Sequence, residues 1–172
     1  NNENSDNNIF ALKIACQPIN DEIISHIIEP YKKIITKKLT EIKEGDFKLY
    51  YKLYEIKLPS YIKSIGLKAF NGVYPLTKIT IPKSVTTIGD YAFYRCGSLK
   101  EITFEIPSSV SIIGEHAFEE CSSLIRISLP SSVKSIGTQA FRKCSSLKQV
   151  FIPSSVTSVG SMAFYCCSSL ID

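Results

Sequence analysis

The feature that most restricts how this chain can fold is an internal repeat. Pro59, Pro82, Pro107, Pro130 and Pro153 follow one another at intervals of 23, 25, 23 and 23 residues. Gly66, Gly89, Gly114, Gly137 and Gly160 keep the same intervals, as do the Ala-Phe pairs ending at Phe70, Phe93, Phe118, Phe141 and Phe164. The unit spans 23 residues and reads L-x-x-[IV]-x-[IL]-P-x-[SY]-[VI]-x-x-[IV]-G-x-x-A-F-x-x-[CV]-x-x. Five copies start at Leu53, Leu76, Leu99, Leu124 and Leu147, and a sixth opens at Leu170, with Asp172 ending the sequence. The third copy carries two extra residues around Phe104-Glu105. One such unit cannot bury its apolar face alone, whereas stacked units share a continuous core. The expected class is therefore an α/β repeat solenoid, right-handed, with a parallel strand ladder.

Each segment of the unit has a physical reading. Within L-x-x-I-x-I-P the two branched positions lie two apart, so both side chains face inward and their neighbours face out. Equivalent strands of successive turns should stack about 4.8 Å apart. Proline ends each strand because it has no N–H to donate. The repeated glycine suits a corner that needs either a positive φ or close backbone approach. Ala-Phe places a small residue beside a large one, expected on a short helical turn with the ring plugging the core.

These residues resemble the BspA-like leucine-rich-repeat family, whose hallmark is L-x-x-I-x-[IL]-P-x-x-V-x-x-I-G-x-x-A-F-x-x-C. The resemblance covers Leu53–Asp172 strongly and residues 35–52 loosely. It implies a surface protein of mucosal bacteria or protozoan parasites, active in adhesion or protein binding, with no catalytic repeat position. The departures are Val73 for Cys, Tyr61-Ile62 for Ser-Val, and the long third copy. They put ladder regularity in question at those turns.

Upstream, Ile35, Leu39, Ile42, Phe47, Tyr50 and Leu53 have the spacings of Ile81, Val85, Ile88, Phe93, Cys96 and Leu99. Residues 35–52 thus read as a degenerate repeat, with Thr36 for Pro and Lys43 for Gly. Residues 1–8 are polar, low in complexity and expected to be disordered. Residues 9–34 read as an N-terminal helical cap: Asn20-Asp21-Glu22 supplies an N-cap and acidic first turn, followed by Ile23, Ile24, Ile27, Ile28 and Tyr31 at helical spacing. Residues 1–31 have one Lys against five acids, and residues 32–52 seven Lys against three. Lys32, Lys33, Lys37 and Lys38 form a basic cluster without interleaved aromatics. With a net charge of only +4, this argues against nucleic acid as partner. No apolar run approaches the ~18 residues of a transmembrane helix.

Chemistry-bearing residues are sparse. Cys96, Cys121, Cys144 and Cys167 hold one repeat position, one per turn, so they do not converge as metal ligands do. They are expected as buried, unbridged thiols that pack as small apolar groups. Cys166 aligns with Arg95, Glu120 and Lys143 and is expected as an exposed thiol. His116 aligns with Lys68, Tyr91, Gln139 and Met162 at a variable surface position without a repeated partner. No nucleophile elbow, phosphate loop or zinc-protease motif occurs. The expectation is a non-enzyme without cofactor.

The candidate binding residues are the outward strand positions: Glu55 and Lys57, Lys78 and Thr80, Glu101 and Thr103, Arg126 and Ser128, Gln149 and Phe151. Mixed charge with one aromatic fits a protein partner. The expected function is non-enzymatic protein recognition at the cell surface or after secretion. The rival is an intracellular scaffold that docks partners through residues 20–45. A last expectation is self-association through an uncovered rung at the C-terminal end, where Cys166 could assist.

Overall fold

The computed structural model describes residues 41–42 and 54–171. Each repeat is one turn of a β-solenoid with two short strands. The first strand of a turn comes from L-x-x-I-x-I: β2 (Glu55–Lys57), β4 (Lys78–Ile81), β6 (Glu101–Phe104), β8 (Arg126–Ser128) and β10 (Gln149–Phe151). The second precedes the glycine: β3 (Ser64–Ile65), β5 (Thr87–Ile88), β7 (Ile112–Ile113), β9 (Ser135–Ile136) and β11 (Ser158–Val159). One turn further back, β1 (Glu41–Ile42) pairs with β3, with Ile42 opposite Ile65. All pairings are parallel and hold the register of the repeat.

No helix occurs among the described residues, so the α/β class is corrected to a parallel β-solenoid. The helical cap over residues 9–34 and the disordered tail over 1–8 lie outside the described residues, as does most of the degenerate repeat. The Ala-Phe segment is not helical either. It is a chain of tight turns in which two positions per rung take a positive φ. Lys68, Tyr91, His116, Gln139 and Met162 stand at 53–56°, and Arg95, Glu120, Lys143 and Cys166 at 59–61°. These left-handed residues aim alternate N–H groups along the solenoid axis. Thus Tyr91, Phe93 and Arg95 donate to the carbonyls of Glu115, Ala117 and Glu119 one rung on, at 2.7–2.9 Å. The corner becomes a third column of backbone bonds between rungs, satisfying groups that a helical turn would have bonded internally.

The repeated glycines answer the two options of the sequence differently. None of Gly66, Gly89, Gly114, Gly137 or Gly160 has a positive φ. A Cβ on Gly137 would instead stand 2.6 Å from the Glu115 nitrogen and the Gly114 carbonyl carbon, so the glycines permit close stacking of rungs.

The core is equally regular. Phe70, Phe93, Phe118, Phe141 and Phe164 stack with ring centroids 4.9, 5.1, 5.2 and 5.3 Å apart and planes within 11° of parallel. The ring spacing is that of the rungs, so each Phe fills its own layer. The inward strand residues Ile56, Ile79, Ile102 and Ile127 are buried, and Leu76, Leu99, Leu124 and Leu147 close the third side.

The ladder of second strands runs unbroken from β1 to β11, but the first-strand ladder divides into β2-β4-β6 and β8-β10. The division falls after the long third copy. There Phe104, not Ile106, sits opposite Ile81, and Ile106 is pushed outward to 79% exposure. The ladder to β4 runs on through Glu105, whose N–H donates to the Ile81 carbonyl at 2.9 Å, and the excess chain turns outward at Ile106. Val73 and Tyr61-Ile62, the other departures, leave both ladders intact in their turns.

Candidate functional site: the strand face

The outward strand positions line up in two columns along the axis. In the first, Glu55, Lys78 and Glu101 stand in register across β2, β4 and β6, and Arg126 pairs with Gln149 across β8 and β10. Lys78 Nζ lies 3.4 Å from Glu101 Oε1. In the second, the hydroxyls of Thr80 and Thr103 share a hydrogen bond at 2.9 Å, and Ser128 stands beside Phe151. Lys57 occupies the same register position opposite Thr80. Phe151 is 58% exposed.

Six of the ten expected residues line a single groove of about 720 Å³: Glu101, Thr103, Arg126, Ser128, Gln149 and Phe151. Glu55, Lys57, Lys78 and Thr80 lie outside it, on the rungs before the ladder break. The rest of the lining includes Lys100, Ile125, Lys148 and Ile171, the positions just before the strands. Sequence reading missed these because it stopped at the strand boundary. Their signal was the alternation of Lys and Ile down one repeat column. Among the described residues, no carboxylate forms an ion pair with Lys100, Arg126 or Lys148.

The turn side of the solenoid carries a second polar cluster whose charges are consumed internally. Glu119 is buried and accepts hydrogen bonds from Arg142 on the next rung and from His116 Nδ1 on its own turn. His116 therefore has the carboxylate partner that the repeat columns did not reveal, and its ring stacks on Tyr91 at 4.4 Å. Position 119 is otherwise Asn71, Tyr94, Arg142 and Tyr165, so only the pairing of one Glu with an Arg in the same column hinted at the contact. Beside it, Glu120 bridges Lys143 at 2.8 Å and Arg95 at 2.9 Å. The Lys143 ammonium, and after it Arg95, hold the Glu120 carboxyl below its usual range. Arg95 in turn stacks over Tyr94 at 5.0 Å.

The thiol column is buried and unbridged, and Cys166 is exposed. The column does more than fill space. Cys96, Cys121, Cys144 and Cys167 each donate S–H to the carbonyl of Phe70, Phe93, Phe118 and Phe141 on the preceding rung, at 3.1–3.2 Å. Burial pushes the Cys96 thiol up to about 12 and raises Cys121 and Cys144 in the same direction. Such thiols stay protonated, so they serve as donors and not as nucleophiles or metal ligands. Among the described residues no three His, Cys, Asp or Glu side chains converge on a metal position. No described helix is long and apolar enough to cross a membrane.

The chain matches the family described as "BspA type Leucine rich repeat region" in six copies, over residues 19–105 and 103–172. No curated protein matches it. Among solved structures it is similar to a leucine-rich repeat protein from Bacteroides ovatus, with 31% identity and a TM-score of 0.57 over 69% of this chain and 36% of that one. It is also similar to the pneumococcal vaccine antigen PcpA, with 26% identity and a TM-score of 0.55 over 65% of this chain and 38% of that one. A leucine rich cell surface protein from Faecalibacterium prausnitzii aligns at 28% identity and a TM-score of 0.47, over 69% of this chain and 46% of that one. This chain thus spans less than half the length of each of these proteins. With the family matched across most of its length, the chain belongs to the BspA-type leucine-rich repeat proteins.

Proposed function

We propose that this BspA-type repeat chain is a non-enzymatic protein-recognition module, acting at the cell surface or after secretion, and that its strand face is the binding surface. The observation that carries the reading is the contrast in charge use. On the turn side, Arg95, Arg142 and Lys143 are all spent on Glu119 and Glu120. On the strand face, Lys100, Arg126 and Lys148 stand exposed without an ion-pair partner among the described residues, beside the exposed Phe151. Arg and aromatic side chains contribute most to interface energy when a partner buries them. An adhesion role draws on the same surface, and no cofactor is required for it.

The test replaces Arg126 and Phe151 by Ala together. Both are exposed, so the melting temperature should hold while capture of partner proteins from host-cell or secreted extracts falls at least about tenfold, the loss of roughly 1.4 kcal/mol. Undiminished capture by the double variant removes the strand face as the site.

A further inference from the structure

We infer that the groove over β6, β8 and β10 takes an extended acidic peptide segment in which carboxylates flank an apolar side chain. This deepens the strand-face reading and rests on it. The groove is lined in part by the column Lys100, Ile125, Lys148 and Ile171, which alternates cation and apolar residue along the axis. With rungs about 4.8 Å apart, Lys100 and Lys148 stand roughly 10 Å apart around Ile125, and the column covers about 14 Å. An extended chain rises ~3.3 Å per residue and turns alternate side chains to one side, so a segment Glu-x-Leu-x-Glu sets both carboxylates and the apolar group on the column over about 13 Å. Arg126 adds a third cation, and the one acid in the lining, Glu101, is already engaged by Lys78 at 3.4 Å.

The ladder break supplies a further donor. The N–H groups of Lys100, Lys148 and Ile171 donate to the carbonyls of Thr77, Ile125 and Lys148 on the preceding rung. The equivalent N–H of Ile125 has no backbone acceptor among the described residues, because β6 and β8 do not pair. An acceptor-rich ligand is therefore favoured between the two lysines. Ile125, Phe151 and Ile171 are exposed around it and favour an apolar side chain over a bare phosphate chain.

The test is an NMR titration of the whole chain with a blocked Gly-Glu-Gly-Leu-Gly-Glu-Gly peptide to about 5 mM, a range that registers weak contacts. Three comparison ligands are Gly-Gln-Gly-Leu-Gly-Gln-Gly, Gly-Glu-Gly-Gly-Gly-Glu-Gly and a tetra-uridylate. The expected result is movement of the Ile125, Arg126 and Gln149 amides, with affinity about tenfold higher for the acidic Leu peptide than for either peptide control. Lys100→Ala with Lys148→Ala should cost a further tenfold or more while the spectrum keeps its dispersion. No groove shift, equal affinity for the Gln peptide, or equal affinity for the tetra-uridylate overturns the assignment. If the acidic peptide fails while partner capture still depends on Arg126 and Phe151, the peptide class is wrong and the strand-face reading stands. If the peptide binds while capture ignores those residues, the groove is acid-selective but is not the partner's site.

Discussion

The two strand ladders of this solenoid are built from the same repeats, yet one runs unbroken through six strands and the other divides between β6 and β8. The difference follows from where each copy tolerates extra chain. From Pro to Gly every copy spends the same seven residues, and from Gly to the next Leu the same ten. Those arcs hold the glycines with no room for a Cβ, the stacked Phe rings and the thiol-to-carbonyl bonds. All the variation falls between Leu and Pro, where the third copy is two residues longer. That arc ends at the surface, so the excess leaves as a bulge and only the local ladder is interrupted. A solenoid of this kind is rigid where layers must interlock. It is variable where it meets solvent, and there Lys100, Arg126 and Lys148 stand exposed.

The contrast predicts unequal sensitivity to substitution. Phe118 is fully buried in the ring stack, with neighbours at 5.1 and 5.2 Å. Phe118→Ala should cost about 3–5 kcal/mol, through lost transfer energy and the cavity left behind. The exposed Phe151→Ala should stay within about 0.5 kcal/mol. Chemical denaturation of both variants checks this, and a loss below about 1 kcal/mol at Phe118 would mean the rungs collapse around missing rings. Gly137→Ala comes next. Its Cβ would press on backbone atoms of the preceding rung at 2.6 Å, which cannot move independently. Overpacking of this kind costs about 1–3 kcal/mol, and backbone contact favours the upper end. A neutral Gly137→Ala would show that the layers have slack.

The thiol column should make the same side of the molecule sensitive to alkaline pH. Burial raises Cys121 well above its ordinary value, while the unfolded chain ionises near pH 8.5. The folded state therefore holds a proton that the unfolded state releases. Below about pH 8 both states are protonated and the thiol adds no pH dependence. Above that, stability falls by up to about 1.4 kcal/mol per pH unit for each buried thiol. Cys121→Ala should flatten the decline between about pH 9 and 11 by close to one proton. Parallel curves for the two proteins would show that the thiol already reaches solvent in the folded state.

What could be read from the sequence follows the same division. The inward positions, the parallel ladder and the thiol column are periodic, and periodic burial leaves a periodic sequence. The absence of a helix in the Ala-Phe segment was not legible, because A-F-x-x-C fits a helical turn as well as the left-handed turns observed at His116 and Glu120. Only backbone bonds to the next rung decide between them, and those belong to no single repeat. The candidate strand columns were legible from alternation alone. Lys100 and Lys148 were not, because they flank strands whose ends no propensity fixes. The clasp of His116, Glu119 and Arg142 arises once among the described residues, so periodicity carried no record of it.

The smallest effect tests the comparison most directly. Removing Glu105 and Ile106 would return the third copy to 23 residues and place Phe104, already opposite Ile81, immediately before Pro107. If the insertion alone divides the ladder, β6 and β8 should then pair and the Ile125 N–H should find the Lys100 carbonyl, as Lys148 finds Ile125 at 2.8 Å. One such bond contributes about 0.5–1.5 kcal/mol net, and withdrawing the exposed Ile106 costs no buried contact. Against this stands the loss of the Glu105 N–H bond to Ile81 and of its carboxylate contact with the Lys83 N–H at 3.1 Å. The gain in global stability should therefore be no more than about 1 kcal/mol. Hydrogen exchange at Ile125 gives the cleaner signal, since its amide would pass from unbonded to laddered. Unchanged exchange at Ile125 in the shortened chain would show that the break belongs to β8 itself, and that the rigid and variable sides differ for a reason other than chain length.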